Sequence, residues 1–296
     1  MYDFKTFAQM NLDFIFTGFD RMPQPGEEVF ARSFTMQLGG GPQVYPIVLE
    51  RLGLRVRLGT FLGESGTSAI CRSLLEQQGF GGLEVFPSPR PDPEVVTSVF
   101  SWPDDRGFLS HNEGVNERCL DGGTVYRFLR DARAAFAPEG HPEVTRRLHE
   151  EGVKLVYDNG WSDDLSIDSF TDFLSYIDVY SPNDREALKL AGTGDLEEAV
   201  RFLARYTPHP VVTLGRGGAA WWEDGSIRFA PAVEEFAAVD TTGAGDNFLT
   251  GVIYGLLRNE PLARCVRLGN IFAGCSTTAV GCFGARITPE IIEKYL

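Results

Sequence analysis

Residues 240–251 read Asp-Thr-Thr-Gly-Ala-Gly-Asp-Asn-Phe-Leu-Thr-Gly, and no other stretch constrains the fold as tightly. Gly243 and Gly245 flank one alanine, Asp246 follows, and then Phe248, Leu249, Val252, Ile253 and Leu256 recur at helical spacing. A small-residue turn therefore feeds directly into a buried helix. Glycine lets the backbone take left-handed dihedrals and brings amides close to a ligand. The first amides of a helix lack internal partners and lie at its positive pole, which favours a phosphate. A carboxylate there, at Asp246, can accept a proton from a hydroxyl that attacks phosphorus. A tight turn with an acidic residue at a helix start has the same spacing, so the pattern alone leaves both readings open.

Elsewhere, short apolar runs alternate with helical patterns. Lys154-Leu-Val-Tyr-Asp, Ile177-Asp-Val-Tyr and Pro210-Val-Val-Thr-Leu-Gly read as buried strands, with amphipathic stretches at 143–150 and 196–206. Such alternation predicts βαβ units and a mostly parallel sheet flanked by helices, with strand C-termini along one ligand-binding edge. Two segments break the rhythm. Residues 13–37 and 95–112 carry β-type residues with Pro, Gly and Asp turns, and they predict a small antiparallel sheet that acts as a lid. Long surface hairpins are the alternative. Pro87-Ser-Pro-Arg-Pro-Asp-Pro is a stiff connector into the second segment. The whole chain, 1–296, is expected to be one domain with this discontinuous lid.

Composition excludes several classes. A formal charge of −14 argues against nucleic acid and anionic membrane surfaces, though not against a nucleotide held by local amides. No apolar run reaches the length of a membrane span, and Asp3 and Lys5 break any secretory leader pattern. Cys71, Cys119, Cys265, Cys275 and Cys282 form no Cys-x-x-Cys and read as reduced core filler, so a cytoplasmic location is expected. His111, His141, His149 and His209 lack zinc-ligand spacing. Neither Gly-x-x-x-x-Gly-Lys-Ser/Thr nor Gly-x-Gly-x-x-Gly occurs.

Five motifs in order carry a resemblance across nearly the whole chain. They are Asn11-Leu-Asp13 with Pro23-Gln-Pro-Gly-Glu27, Gly39-Gly40 with Leu52-Gly53, Asn183-Asp-Arg-Glu186, Thr213-Leu-Gly-Arg-Gly-Gly218 and Asp240-Thr-Thr-Gly-Ala-Gly-Asp246. Together they resemble the ribokinase-like, PfkB-type sugar kinases. The resemblance implies an ATP- and Mg2+-dependent kinase for a sugar-like acceptor. It implies Asp246 as general base, and the amides of Gly243, Ala244, Gly245 and Asp246 as an anion hole. Asn11, Asp13, Gly40 and Gly41 would hold the acceptor. Asn183 and Glu186 would organise magnesium through water, although such a pair is also an ordinary helix start. Thr213, Gly215 and Gly218 would line the nucleotide, with Asn270 near the adenine. Asp240 and Thr242, with carbonyls around Val280–Gly284, would hold a monovalent cation such as K+. Apolar outer faces on lid strands suit pairing between two copies, so a homodimer through the lid is expected.

The departures fall on the acceptor side. Val44, preceded by Pro42, stands where an Asn is usual; Gly63-Glu-Ser-Gly-Thr-Ser68 replaces Gly-x-Asp-x-x-Gly; and Asp158-Asn159-Gly160-Trp161 replaces Asp-x-Asn-x-Arg. One lost polar contact shifts discrimination by ~1–3 kcal/mol. Phe100, Trp102 and Trp161 read as acceptor-stacking rings or, more ordinarily, as core and lid packing. Two rival readings stand beside the sugar kinase: a nucleoside or vitamin-precursor kinase of the same fold, and a catalytically weak sugar- or nucleotide-binding regulator.

Overall fold

A computed structural model describes residues 1–102 and 105–296, so residues 103 and 104 of the second lid segment lie outside the described residues. The strands are β1 (Tyr2–Phe7), β2 (Asn11–Thr17), β3 (Ser33–Leu38), β4 (Val56–Phe61), β5 (Leu83–Phe86), β6 (Val95–Trp102), β7 (Asp105–His111), β8 (Ala132–Phe136), β9 (Lys154–Tyr157), β10 (Val179–Tyr180), β11 (Val211–Thr213), β12 (Ala219–Glu223) and β13 (Ser226–Ala230). The α-helices are α1 (Val44–Arg51), α2 (Gly66–Gln77), α3 (Gly122–Leu129), α4 (Pro142–Glu150), α5 (Asp184–Ala191), α6 (Leu196–Leu203), α7 (Ala244–Leu257), α8 (Leu262–Ser276) and α9 (Pro289–Tyr295).

Six parallel strands form the central sheet in the order β10-β9-β8-β1-β4-β5. Parallel bridges from Tyr180 to Pro210 and from Asn183 to Thr213 carry the sheet on to the antiparallel β11-β12-β13 unit. Alternate strand residues supply two cores, one on each face. Phe4, Ala134, Val156, Val179 and Val211 meet α1, α7 and α8, whereas Phe7, Ala135, Leu155, Tyr180 and Val212 meet the helices of the other face. Burial on both faces explains why these strands are apolar throughout. No helix among the described residues is long and apolar enough to cross a membrane.

The other two strand-rich segments build a four-stranded sheet, β3-β2-β6-β7. Its outer pairs, β2–β3 and β6–β7, are antiparallel as expected, but the central pair β2–β6 is parallel. The reason is topological: β2 follows β1 and β6 follows β5, and those two belong to one parallel sheet, so both leave it in the same sense. Pleating then sorts the side chains. Gln37, Asp13, Thr97 and Ser110 form one cross-strand row, and Phe34, Phe16 and Phe100 another on the opposite face. The Phe16 and Phe100 rings stack at 5.8 Å, and Phe34 stays half exposed.

Helices α7 and α8 pack at unusually close range because glycine faces backbone. A Cβ on Gly251 would lie 2.5 Å from the Leu268 carbonyl oxygen, and one on Gly269 would lie 2.7 Å from the Phe248 ring. Carbonyl oxygens in a helix cannot swing aside, so a methyl there forces the helices apart. Gly251→Ala is expected to lower the denaturation midpoint by the equivalent of ~1–3 kcal/mol; an unchanged midpoint in urea would show that the interface yields.

Candidate active site

Helix α7 begins without a side-chain cap. Its N-cap, Gly243, takes φ 71°, which leaves the first turn open to a ligand. The Ala244 amide donates to the Thr241 carbonyl at 3.2 Å, whereas the amides of Gly243, Gly245 and Asp246 find no partner among the described residues. Glycine is required at Gly243 for another reason: a Cβ would sit 2.5 Å from Cys282 Sγ. Asp246 faces the Gly39–Gly41 turn so closely that a Cβ on Gly40 would lie 2.6 Å from Asp246 Oδ2. Burial lifts the Asp246 carboxyl to about 6, partly offset by the Gly41 amide.

Asn11 starts β2 and Asp13 lies two residues on, both against Gly39, whose Cβ would meet Asp13 Oδ1 at 2.7 Å. Burial raises Asp13 to about 6. Gln43, not singled out from the sequence, holds this arrangement. Its Oε1 accepts from the Asn11 amide at 3.1 Å, and its Nε2 donates to the Gly39 carbonyl at 2.8 Å. Val44 is fully buried in the α7–α8 core, so no polar group replaces the usual Asn. The segment 63–68 has acquired a different role. Ser65 caps α2, while Ser68 and Thr67 donate to the buried Glu94 carboxylate just before β6.

Between Gly40, Gly41 and the C-terminal strand ends lies a cavity of about 350 Å3 that includes Asn11 and Asp246. Asp13 does not line it, nor do the nucleotide-side residues. Among the wall residues without a predicted role are Glu117, Glu139, Tyr157 and Asp158. Position relative to the sheet was the available signal, since Asp158 directly follows β9 and Glu139 closely follows β8. Burial, then Glu186, then Asp246 push the Asp158 carboxyl up to about 8, against the Gly160 amide.

On the nucleotide side, Asn183 and Glu186 form a reciprocal capping box on α5: Asn183 Oδ1 accepts from the Glu186 amide and Glu186 Oε2 from the Asn183 amide. The Asn183–Thr213 bridge brings this helix start beside β11. Gly215 and Gly218 take φ 54° and 90°, and a Cβ on Gly218 would collide with the Ala230 carbonyl. Asn270 Nδ2 donates to the carbonyls of Ala230 and Pro231 at 3.1 and 3.0 Å, fixing the end of β13. Asp240 accepts from the Thr242 amide and hydroxyl through Oδ1 and from the Gly281 amide through Oδ2, so it joins the two segments named for the cation.

The aromatic candidates lie elsewhere. Phe100 and Trp102 pack on Phe16 and Phe19 in the four-stranded sheet, and Trp161 lies at the surface under Lys189. Four cysteines are buried, but Cys119 is exposed, so core filling does not describe it.

The pfkB family carbohydrate kinase profile matches residues 137–288, more than half of the chain. The chain belongs to this family. It is a carbohydrate kinase of ribokinase fold. The ribokinase of Lactococcus lactis subsp. lactis is 23% identical over 297 residues, covering 97% of this chain and 93% of the relative. A cytidine kinase of Thermococcus kodakarensis is 34% identical over 137 residues, 45% of this chain and 49% of the relative. The fold matches Arabidopsis thaliana ribokinase complexed with ribose and ATP at a TM-score of 0.83, with 19% identity and coverage of 99% and 98% of the two chains.

The raised Asp158 carboxyl links stability to pH. Its folded value near 8 exceeds the unfolded value near the ordinary 3.8, so the folded state binds the proton more tightly. That contribution is complete below the unfolded value and fades as pH rises towards 8. Asp158→Asn keeps a neutral group, so its melting temperature is expected to exceed that of the parent at pH 8 and to converge with it near pH 4. Parallel melting curves across this range would refute the linkage.

Proposed function

We propose that the protein transfers the terminal phosphoryl group of ATP to a hydroxyl of a sugar or sugar derivative. One observation carries the reading: a buried carboxylate, Asp246, stands against Gly40 at an uncapped helix N-terminus in the wall of the cavity. Asp246 takes the proton from the acceptor hydroxyl as that oxygen attacks. The anion hole of residues 243–246 holds the charge on the transferring group, with the amides of Gly243, Gly245 and Asp246 doing more than Ala244, whose amide is engaged. Asn11, Asp13, Gly40 and Gly41 orient the acceptor. Thr213, Gly215 and Gly218 receive the nucleotide, with Asn270 bracing the strand beneath the adenine.

The donor set fits magnesium held through water. The Glu186 charge raises the Asp158 carboxyl, and a divalent cation would relieve this repulsion. Bound magnesium would neutralise charge on the phosphates. Asp240 and Thr242, with the 280–284 carbonyls, suit a monovalent cation, Asp240 anchoring the loop rather than offering an open face. The chain 1–296 works as one domain, with residues 13–37 and 95–112 as the lid that excludes water. Free cysteines throughout suit the cytoplasm. The exposed Phe34 face of the lid pairs two copies; Phe34→Asp should convert a dimer to a monomer by light scattering, and a monomeric parent would overturn the pairing. A nucleoside acceptor is the second reading, favoured by the likeness to a cytidine kinase.

ADP release with Mg-ATP over pentoses, hexoses and nucleosides tests the activity and chooses between acceptors. Asp246→Asn is expected to fold normally and lose ~10²–10⁴-fold in rate. Because Asp246 must be ionised to act, kcat/KM should fall as pH drops through about 6. A variant with near-parental turnover would remove Asp246 from the role of base.

A further inference from the structure

The cavity wall holds two acidic neighbourhoods. One is Asp246 with Asp158, where phosphoryl transfer is placed. The other is Glu117 with Glu139, which acts on Glu117 electrostatically but is absent from the influences on Asp246. Glu117 is partly buried, and the donors to its carboxylate are backbone amides, its own and that of Gly140 at a long 3.4 Å. Arg118 pairs with Glu139 and reaches Glu117 only weakly, so one guanidinium serves two acids. His141 touches the Glu117 carbonyl and lies 3.5 Å from Glu143, outside the cavity wall. Among the described residues, no Lys, Arg or His lines the cavity.

The remaining wall is aromatic. Phe136 lies 5.5 Å from Tyr45 and 5.6 Å from Tyr157, ring centre to ring centre. The Tyr157 hydroxyl is buried, and Glu139 is the acid that acts on it most strongly. Paired carboxylates with few donors, a buried hydroxyl beside one of them and ring faces share one complement. A protonated amine brings positive charge, several N–H donors and attraction to ring faces, where a neutral hydroxyl brings one donor. An anionic acceptor such as a sugar phosphate or sugar acid would meet repulsion from the ionised carboxylates in the wall.

We propose that the acceptor is a polyol bearing a protonated amine, and that Glu117 and Glu139, beside Tyr157 and Phe136, hold that amine. The inference rests on the kinase reading for which hydroxyl is phosphorylated, but not for the binding itself.

The experiment compares matched pairs: 1-amino-1-deoxyfructose with fructose, and glucosamine with glucose, each with Mg-ATP, alongside fructose 1-phosphate. Melting-temperature shifts by the same compounds without ATP are read in parallel. The amino sugars are expected to exceed their hydroxy partners in kcat/KM by roughly ten- to hundredfold, through KM, as hydrogen bonds to charged groups allow. Glu117→Gln should collapse that ratio towards one, and Arg118→Gln, which frees Glu139, should raise it. Equal use of both members of a pair, preference for the phosphate, or a ratio that survives Glu117→Gln overturns the proposal while leaving the kinase intact. If no compound is phosphorylated, a larger melting shift by the amino sugar, lost in Glu117→Gln, still supports the amine site, and equal shifts overturn it. Parental melting of the variants without ligand excludes misfolding as the cause.

Discussion

The structure turns on a missing methyl group. Gly40 has no side chain, and that gap lets the Asp246 carboxylate stand against the turn before α1. A Cβ at Gly40 would turn the Asp246 carboxylate out of this position. The position of α7 is in turn set by Gly251 and Gly269, which let it lie almost backbone to backbone on α8. Dispersion gains from so close an approach are collectively large, and they leave little slack for the helix to shift. The Asp246 carboxylate is thus held by packing on one flank and by an absence on the other.

Buried acidity sets the chemistry of the site. Asp13, Asp158 and Asp246 all carry raised carboxyl values because water is excluded from them. A general base needs a value close to the working pH, and burial moves Asp246 in that direction. The same burial costs stability, which is the usual bargain at a functional site. Gln43 limits the damage by tying the start of β2 to Gly39, so the acceptor side and the turn facing Asp246 move as one block.

What the sequence made legible was local. The 240–251 segment carries its own evidence, because a glycine turn and a helical apolar period lie side by side, and α7 begins within it. Asn183 and Glu186 were legible as a helix start, and they form a capping box. The parallel β2–β6 pair was not legible, since its direction depends on where β1 and β5 lie in another sheet. Glu117, Glu139 and Asp158 were also hidden as a group. Each is a single acid outside the α-helices and strands, with no period to announce it, and only the sheet edge gathers them. Val44 was legible as a departure, though its place in the core needed the packing of α1 against α7 and α8.

The order of the strands has a consequence for synthesis on the ribosome. β1 emerges first but lies in the middle of the central sheet, between β4 and β8. Gly40 then waits for a carboxylate that is made about two hundred residues later, on a helix that needs α8 beside it. Contacts of such long sequence separation close slowly and late. A nascent chain released early would therefore hold the Gly39–Gly41 turn without its facing carboxylate until its last fifth had folded back onto its first.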